Sequence, residues 1–516
     1  MRRALSHLAL AALALLIWEV VGRAQLVAMG ALPAPSEILA RWWIDRADYP
    51  PHATATAVSA AFGLLWGSAA GIGAGIVFAA WPLAARLFRG VNVALFALPP
   101  IAIVPVLVLC LSGSAPRIVL AALGCYFPVM AATTLGLTHV DPRVCDLVHA
   151  YGGGATAIFR FVRLRSALPV ILSGLKVAAP NAVLGAILAE FGGGGRYGLG
   201  AYLIGSLGRA DPARLWGIGL SATAMAGLAY FAFAQLSRGA TSGARADTMA
   251  ASLASDAGPD GGGRFERAIV AVAAALLPVA IWAGLTTAFH LPPLIAKSPA
   301  AVVDYLFASP ASGLAQARLL GALAETLPIM LAGLLAGLAC AFALALVGAF
   351  APAVSRLLLP VSLVTQTMPL VALTPLLVLL FGRGLAVTIA ITVSVTFFPA
   401  YVAISQGLAL VPRAALDLPR AYGAPWWKEI WIVAAPASLP HLFAAARFGA
   451  ARALLGVMIA EWLATGRGLG ALLNQARGRL DYAMIWSVAV VAVLVSVTLY
   501  QLLLGAERLT LKRFGQ

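Results

Sequence analysis

Apolar segments of about 20 residues recur along the whole chain, and polar sequence is confined to the stretches between them. Such a segment is long enough to cross the ~30 Å hydrocarbon layer of a bilayer as a helix. The chain is 62% hydrophobic and 10% charged, whereas soluble proteins carry about 25% charged residues. Because backbone in lipid must satisfy its own hydrogen bonds, we expect an all-α integral membrane protein.

Two polar, arginine-bearing stretches interrupt this apolar pattern, and they are copies of one another. We call residues 140–169 the first island and residues 411–440 the second island. They match at a constant offset in six pairs: Asp146/Asp417, Ala150/Ala421, Tyr151/Tyr422, Gly152/Gly423, Leu168/Leu439 and Pro169/Pro440. A repeat of this length indicates that the chain contains one architectural unit twice.

Each copy is expected to contain six transmembrane helices, about 12 in all. The expected spans are 5–27, 56–80, 91–112, 117–138, 171–191 and 213–236 in the first copy, and 268–289, 325–350, 357–381, 385–408, 442–463 and 483–505 in the second. The third spans carry paired prolines, Pro99 with Pro105 and Pro369 with Pro375, which predict a kink. We assign 1–237 and 267–516 to the two transmembrane domains, and 238–266, rich in Gly, Ala, Ser and Asp, to a cytoplasmic flexible linker.

Six spans per copy is an even number, so both copies are predicted to face the same way as a parallel repeat. With the N-terminus inside, Lys and Arg on the inner side outnumber those outside by about two to one, a bias typical of cytoplasmic loops. Both islands, the linker and both termini are therefore expected in the cytoplasm.

The net charge of +16 fits these inner loops, and we expect contact with the lipid bilayer and no nucleic-acid partner.

The islands are predicted to form a short helix, a glycine turn at Gly152 or Gly423, and a second short helix. Residues on one face of that second helix follow helical spacing: Trp427, Ile430, Trp431 and Ala434, with Ile158, Phe161 and Val162 in the first copy. Such a knob can dock into a groove of another protein. The alternative is an amphipathic helix lying on the inner leaflet; two copies on one side favour a two-fold partner.

The islands resemble the EAA motif of binding-protein-dependent ABC importer permeases, whose pattern is Glu-Ala-Ala-x3-Gly-x9-Ile-x-Leu-Pro. In the second island Asp417 stands at the Glu position, Gly423 at the Gly and Val433 at the Ile, and Pro436 is the proline. The first island has Asp146, Gly152 and Val162, with Arg165 in place of the proline. Both keep a further Leu-Pro, as in the nitrate/sulfonate/taurine branch of that family.

This resemblance implies a tandem parallel repeat of two six-helix ABC importer permease units in the cell inner membrane. It implies ATPase-coupling loops at these residues: Asp146, Tyr151, Gly152, Asp417, Tyr422, Gly423 and Trp427. The chain has no Gly-x4-Gly-Lys-Ser/Thr loop to bind phosphates, so ATP hydrolysis is expected on a separate ATPase dimer. A periplasmic substrate-binding protein would deliver a small oxyanion, an organosulfonate or a vitamin precursor, without a cofactor.

Three polar residues in the spans are candidates for a gate or a substrate contact: Glu190, Glu461 and Gln366. Glu190 and Glu461 are matched and lie about 20 residues, or roughly 30 Å of helix, beyond the Leu-Pro, which places them near the outer surface. Pairing with a loop arginine, such as Arg196 or Arg467, is the alternative role. The isolated histidines and the four unpaired cysteines indicate no metal site, and no catalytic constellation is present.

A different class of transporter also fits two parallel six-helix halves, namely a proton-coupled secondary transporter. That class needs ionisable groups near the midplane as a proton relay, and the middles of the predicted spans hold few of them. Uptake that depends on ATP and on a copurifying ATPase would separate the two hypotheses. A membrane-embedded enzyme is less consistent with the sequence than either.

Overall fold

The computed structural model describes residues 2–27, 30–193, 195–209, 211–240, 264–290, 292–351 and 370–513, and its regular secondary structure is helical throughout these ranges. The first half contains α1 Arg2–Arg23, α2 Pro35–Ile44, α3 Tyr49–Ala80, α4 Pro82–Ala97, α5 Pro100–Cys110, α6 Ala115–Thr138, α7 Pro142–Ala150, α8 Ala155–Phe191, α9 Leu199–Leu207 and α10 Pro212–Ala240. The second half contains α11 Arg264–Ala288, α12 Pro299–Phe307, α13 Ser312–Phe350, α14 Leu370–Phe381, α15 Leu385–Ala409, α16 Arg413–Ala421, α17 Trp427–Thr465, α18 Gly468–Gly478 and α19 Tyr482–Arg513.

Nine helices in the described ranges are long and apolar enough to cross a membrane, and the bent pair α4–α5 makes a tenth. The remaining two of the twelve expected spans correspond to α1 and to α14. Residues 352–369 lie outside the described residues, and with them the first part of the expected span 357–381 and the candidate Gln366. The central linker residues 241–263 lie outside them as well, so the domain boundaries stay a prediction.

The third span of the first half is broken, which corrects the expectation of one kinked helix over 91–112. α4 ends at Ala97 and α5 begins at Pro100, and the two axes are inclined by 93°. Leu98 and Pro99 between them have extended backbone, with ψ of 116° and 117°. Two successive prolines lack the N–H groups that would continue the helix, so the chain turns sharply where a single proline would have bent it.

The two halves interlock reciprocally. Helix α5 of the first half packs against α17, α18 and α19 of the second, while α14 of the second half packs against α8, α9 and α10 of the first. One continuous hydrophobic cluster therefore includes buried residues of both halves. The first helix of the second half, α11, crosses to pack on α4, at a point where Gly90 faces the backbone of Ala274.

In each half, two tryptophans attach the first and the last helix to one loop. This loop lies between α1 and α2 in the first half and between α11 and α12 in the second. In the first half the indole N–H groups of Trp18 and Trp216 donate to the carbonyls of Pro33 and Ala31, both at 3.1 Å. Their counterparts donate to the loop after α11: Trp282 to Lys297 at 3.1 Å and Trp486 to Ile295 at 2.9 Å. The repeated hydrogen bonds show that both copies have the same fold.

Candidate functional site

Each island forms a short helix followed by a glycine turn, as predicted. Helices α7 and α16 are each followed by a tyrosine at the C-cap position, and the glycine after it has positive φ: 80° at Gly152 and 72° at Gly423. Glycine adopts this left-handed conformation without the steric cost that a Cβ would impose. The matched Tyr-Gly pairs therefore mark the point at which each helix stops and the chain reverses.

The hydrogen bonds of the two turns correspond atom for atom. In the first island the N–H groups of Gly152 and Gly153 donate to the carbonyls of His149 and Val148, both at 2.9 Å. In the second island the N–H groups of Gly423 and Ala424 donate to the carbonyls of Arg420 and Pro419, at 2.9 and 3.0 Å. The islands thus present two surfaces of the same backbone shape.

The tips of both islands are open to solvent. Tyr151 is 86% exposed and Tyr422 is 85% exposed, and Asp146 and Asp417 are exposed as well. Helix α7 buries none of its residues. Large aromatic side chains at this exposure are typical of surfaces that bind another protein, and the predicted coupling residues at these tips are all accessible.

The second helix of each island is not short, which corrects the prediction. It is the beginning of the long membrane helix, α8 or α17, and it starts with a π-helical turn at Ile158–Arg163 or Ile430–Ala434. A π turn rotates the residues that follow it out of α-helical register. Trp427 and Trp431 are consequently exposed while Ala434 is buried, so the predicted stripe does not form one face.

The two islands differ in how the short helix is attached to the long one. In the second island the Arg420 guanidinium binds the buried Glu429 carboxylate at 3.0 Å across the turn, and lies 3.6 Å from Asp417. The corresponding positions of the first island are His149 and Ile158, and the Ile158 side chain is buried. The second island is therefore held by an ion pair and the first by apolar packing.

Both islands lie at the same end of the helical bundle. The far ends of α8 and α17 meet, because the rings of Phe191 and Trp462 form an edge-to-face contact with centroids 6.2 Å apart. These residues are counterparts in the two halves. Since α8 and α17 run in parallel from the islands to this contact, the islands occupy the opposite end, as the parallel repeat predicted.

Glu190, beside this contact, lies in a buried hydrogen-bond cluster. The Thr56 hydroxyl donates to its carboxylate oxygens at 2.9 Å, and the N–H of Gly200 donates to Oε2 at 3.0 Å. The N–H of Leu199 donates in turn to the Thr56 hydroxyl at 2.9 Å. Gly198 has φ of 148°, and a Cβ there would overlap the Glu190 carboxyl group. The Gly-Leu-Gly sequence thus forms a cap for this carboxylate.

Glu461 is held in the same way in the second half. The Thr326 hydroxyl donates to Oε1 at 2.7 Å, the N–H of Gly470 donates to Oε2 at 2.8 Å, and the N–H of Leu469 donates to Thr326 at 2.9 Å. The repeated cluster makes each glutamate a link between helices. A role as a gate or a substrate contact stays a prediction.

The expected pairing of these glutamates with Arg196 or Arg467 is wrong for Glu190 and finds no support at Glu461. The cation near Glu190 is Arg117, whose Nη1 lies 3.9 Å from Oε1, whereas the Arg196 guanidinium lies over the Tyr197 ring. Arg467 forms no ion pair with a carboxylate among the described residues. The groups that donate directly to each carboxylate are backbone N–H groups and threonine hydroxyls, because the Gly-Leu-Gly segment folds over it.

Sequence reasoning overlooked three cations inside the membrane helices, namely Lys176 in α8 and Arg447 and Arg452 in α17. Arg447 is fully buried and its Nη1 lies 2.9 Å from the Glu507 carboxylate. Lys176 and Arg447 are counterparts and each lies against a matched tyrosine ring, Tyr230 or Tyr500. The sequence signal that could have identified these three cations is that each interrupts an otherwise apolar span. No cluster of metal ligands occurs among the described residues.

Comparison with known proteins places both halves in one family. The family model for the binding-protein-dependent transport system inner membrane component matches residues 67–240 and 333–514, more than half of the chain. A probable ABC transporter permease protein of Haemophilus influenzae is 32% identical over 221 residues, which cover 43% of this chain and 87% of that protein.

Two further relatives have names that state their solutes. The riboflavin transport system permease protein RibX of Chloroflexus aurantiacus is 36% identical over 155 residues, which cover 30% of this chain and 58% of that protein. The taurine transport system permease protein TauC of Escherichia coli is 26% identical over 198 residues, which cover 38% and 72%. This chain carries the family domain twice.

Proposed function

Because this chain belongs to the family of binding-protein-dependent transport system inner membrane components, we propose that it supplies both membrane halves of an ATP-binding cassette importer in one polypeptide. The translocation path lies between the halves, along the facing sides of α8 and α17. The solute is a small molecule, as it is for the relatives that transport riboflavin or taurine. A substrate-binding protein delivers this solute to the end of the bundle at which Phe191 and Trp462 meet.

A separate ATPase dimer binds the two islands, one subunit to each. The observation that carries this proposal is the matched pair of exposed Tyr-Gly tips at one end of the bundle. Two identical ATPase subunits require two similar docking surfaces. The backbone of the two turns is similar, because their hydrogen bonds correspond. The islands, the linker and both termini face the cytoplasm of a cell whose inner membrane holds the chain.

Coupling follows from the continuity of each island with a membrane helix. Helices α8 and α17 begin at the islands and end at the Phe191–Trp462 contact, so each is a single lever across the membrane. When ATP binding draws two ATPase subunits together, the islands move toward each other and the levers tilt. The outer ends then separate, and the path changes from open inside to open outside.

A double variant tests this proposal, Tyr422→Glu with Gly423→Arg, in the chain reconstituted with its ATPase and binding protein. Both residues are at the exposed tip, and a Cβ added at Gly423 meets no other atom, so the strain of a side chain at a φ of 72° stays within the turn and the chain is expected to insert and fold. Solute-stimulated ATP hydrolysis and ATP-driven uptake should both fall about 10-fold or more, because a charged, bulky tip does not fit a groove complementary to tyrosine and glycine.

The matched control is Leu509→Glu, which places a charge on another exposed side chain at the same end of the bundle. It should leave coupling unchanged. Wild-type uptake by the Tyr422/Gly423 variant would exclude a coupling role for the second island. Uptake by the unmodified chain without ATP would overturn the assignment to an ATP-driven importer.

A further inference from the structure

Arg452 is a charged residue inside a membrane helix that has no partner among the described residues. It lies 13 residues before the end of α17, or about 20 Å along the axis, and its side chain is exposed. Residues 352–369, which the structure does not describe, contain neither Asp nor Glu. An arginine at this depth is costly in lipid and is tolerated where it faces a water-filled cavity.

The other two cations in these helices show the contrast. Arg447 binds Glu507 at 2.9 Å and lies against the Tyr500 ring, and Lys176 lies 5.3 Å from the centroid of the Tyr230 ring. Both are directed toward the last helix of their own half, where they join two helices. Arg452 makes neither kind of contact among the described residues, so it does not serve as an anchor of this sort.

The face of α17 that carries Arg452 is directed toward the first half. Phe448 lies one turn before Arg452, and its ring packs against Phe96 of α4 with centroids 5.2 Å apart. Trp462 lies about 15 Å beyond Arg452 and roughly 80° around the helix from it, and it contacts Phe191. The other sides of α17 are buried against α13, α15 and α19, and α15 borders this face at Gly456, one turn after Arg452. The exposed guanidinium therefore lies between the halves, on the inner side of the closed aromatic contact.

The counterpart of Arg452 in the first half is Asn181 on α8. Asn181 is half-buried, lies one turn after the exposed Val177, and donates from Nδ2 to the carbonyl of Gly124 in α6 at 3.5 Å. The pseudo-two-fold arrangement thus places a guanidinium and a carboxamide on the facing helices at the same depth. Together they offer one positive charge and several N–H donors, which is the chemistry that binds an oxyanion.

We infer that Arg452, together with Asn181, binds the anionic group of the transported solute within the path. This inference rests on the proposed function, and it selects sulfonates and other small oxyanions over uncharged vitamin precursors. The duplicated halves are asymmetric at this position, so the site has one cation and holds one anion per chain. Closure of Phe191 on Trp462 covers the site from the outside.

Thiol chemistry tests this inference without the ATPase or the binding protein. In a full-length chain whose four native cysteines are replaced, Asn181→Cys is reacted in lipid nanodiscs with an anionic and a cationic methanethiosulfonate reagent. With Arg452 present, Asn181→Cys should react faster with the anionic reagent than with the cationic one. Adding Arg452→Gln should lower the ratio of the anionic to the cationic reaction rate about 10-fold, because one nearby positive charge is removed. Ethanesulfonate at millimolar concentration should slow the reaction at least ~3-fold only when Arg452 is present.

The matched control is Lys176→Gln, which removes a positive charge from the helix that carries Asn181 but on the face directed toward Tyr230. It should change the ratio less than ~2-fold. No reaction with either reagent would exclude a water-filled path at this face. If Arg452→Gln does not change the ratio of the two rates, or if ethanesulfonate still protects without Arg452, the anion site is overturned. Either result leaves the proposal of an ATP-driven importer unaffected.

Discussion

Asp45 and Arg214 form a buried ion pair that only the first half possesses. The guanidinium binds both carboxylate oxygens, Nε to Oδ2 at 2.7 Å and Nη2 to Oδ1 at 2.5 Å, and Arg41 adds a contact of 3.0 Å. The corresponding residues of the second half are Ser309 and Met484. The same fold is therefore built with the pair in one half and without it in the other.

Removing one member of this pair should destabilise the chain more than removing both. Asp45→Asn leaves the Arg214 charge buried and is expected to lower stability by about 3 kcal/mol. Asp45→Ser with Arg214→Met, which copies the second half, should recover most of that loss. Thermal unfolding of the detergent-solubilised chain measures both variants, and equal losses in the single and double variants would contradict this account.

The pair should also make the chain sensitive to acid. Burial raises the pKa of Asp45, but the hydrogen bond and charge of Arg214, with the charge of Arg41, outweigh it and hold the pKa below its ordinary value. Such a carboxylate contributes stability in full above its unfolded pKa of about 3.9 and loses it as pH falls through the folded pKa. Unfolding measured from pH 6 to pH 3 should show a smaller loss in the Asp45→Ser/Arg214→Met variant.

Among the helices, the ends of α7 and α16 were predictable from the sequence because each is marked by a glycine. The Tyr-Gly pairs in both islands correctly predicted where α7 and α16 end, because few other residues adopt positive φ. The π turns that follow, at Ile158–Arg163 and Ile430–Ala434, have no comparable sequence pattern. Hence the length of the second helix was missed although the position of the turn was right.

The cap over Glu190 shows a second limit of the sequence. The glutamates were recognised as a matched pair, but the partner threonines lie more than 130 residues earlier in the chain, at Thr56 and Thr326. Nothing local indicates which helix passes beside the carboxylate. Pairing with a nearby loop arginine was the more obvious prediction, and the fold instead brings α3 or α13 alongside.

The ion pair between Arg420 and Glu429 is expected to fix α16 to the start of α17. Glu429→Gln should weaken it, because a neutral amide retains the shape but not the charge, and hydrogen exchange of Arg413–Ala421 should quicken about 3-fold. Arg420→His with Glu429→Ile, which copies the first island, should restore protection. Exchange is read by mass spectrometry, with the amides of Pro142–Ala150 as the internal control; unchanged exchange in Glu429→Gln would show that the pair is dispensable.

At the scale of the whole molecule, the pseudo-two-fold arrangement follows from duplication, and most of it was predictable. The constant offset between the two copies indicated a repeat, and six expected spans per copy indicated that it is parallel. The Phe191–Trp462 contact places both islands at one end. The exchange of helices between halves was not predictable, because α5 and α14 are apolar all round and could pack on either half. Their hydrophobicity predicts that α5 and α14 are buried, but it does not predict which helices they pack against.

The contact between Phe191 and Trp462 should open and close with transport. Phe191→Cys and Trp462→Cys, in a chain without native cysteines and with a protease site inserted at residue 250, allow the contact to be trapped by a bifunctional methanethiosulfonate that spans the space left by the two rings. After cleavage, a non-reducing gel should show the halves still joined, because the two side chains are in contact in this structure. In the complete transporter the trapped chain should lose uptake and regain it with reductant, since the outer end must separate for the solute to enter. A single-cysteine chain controls for thiol modification alone, and full uptake by the trapped chain would place the moving gate elsewhere.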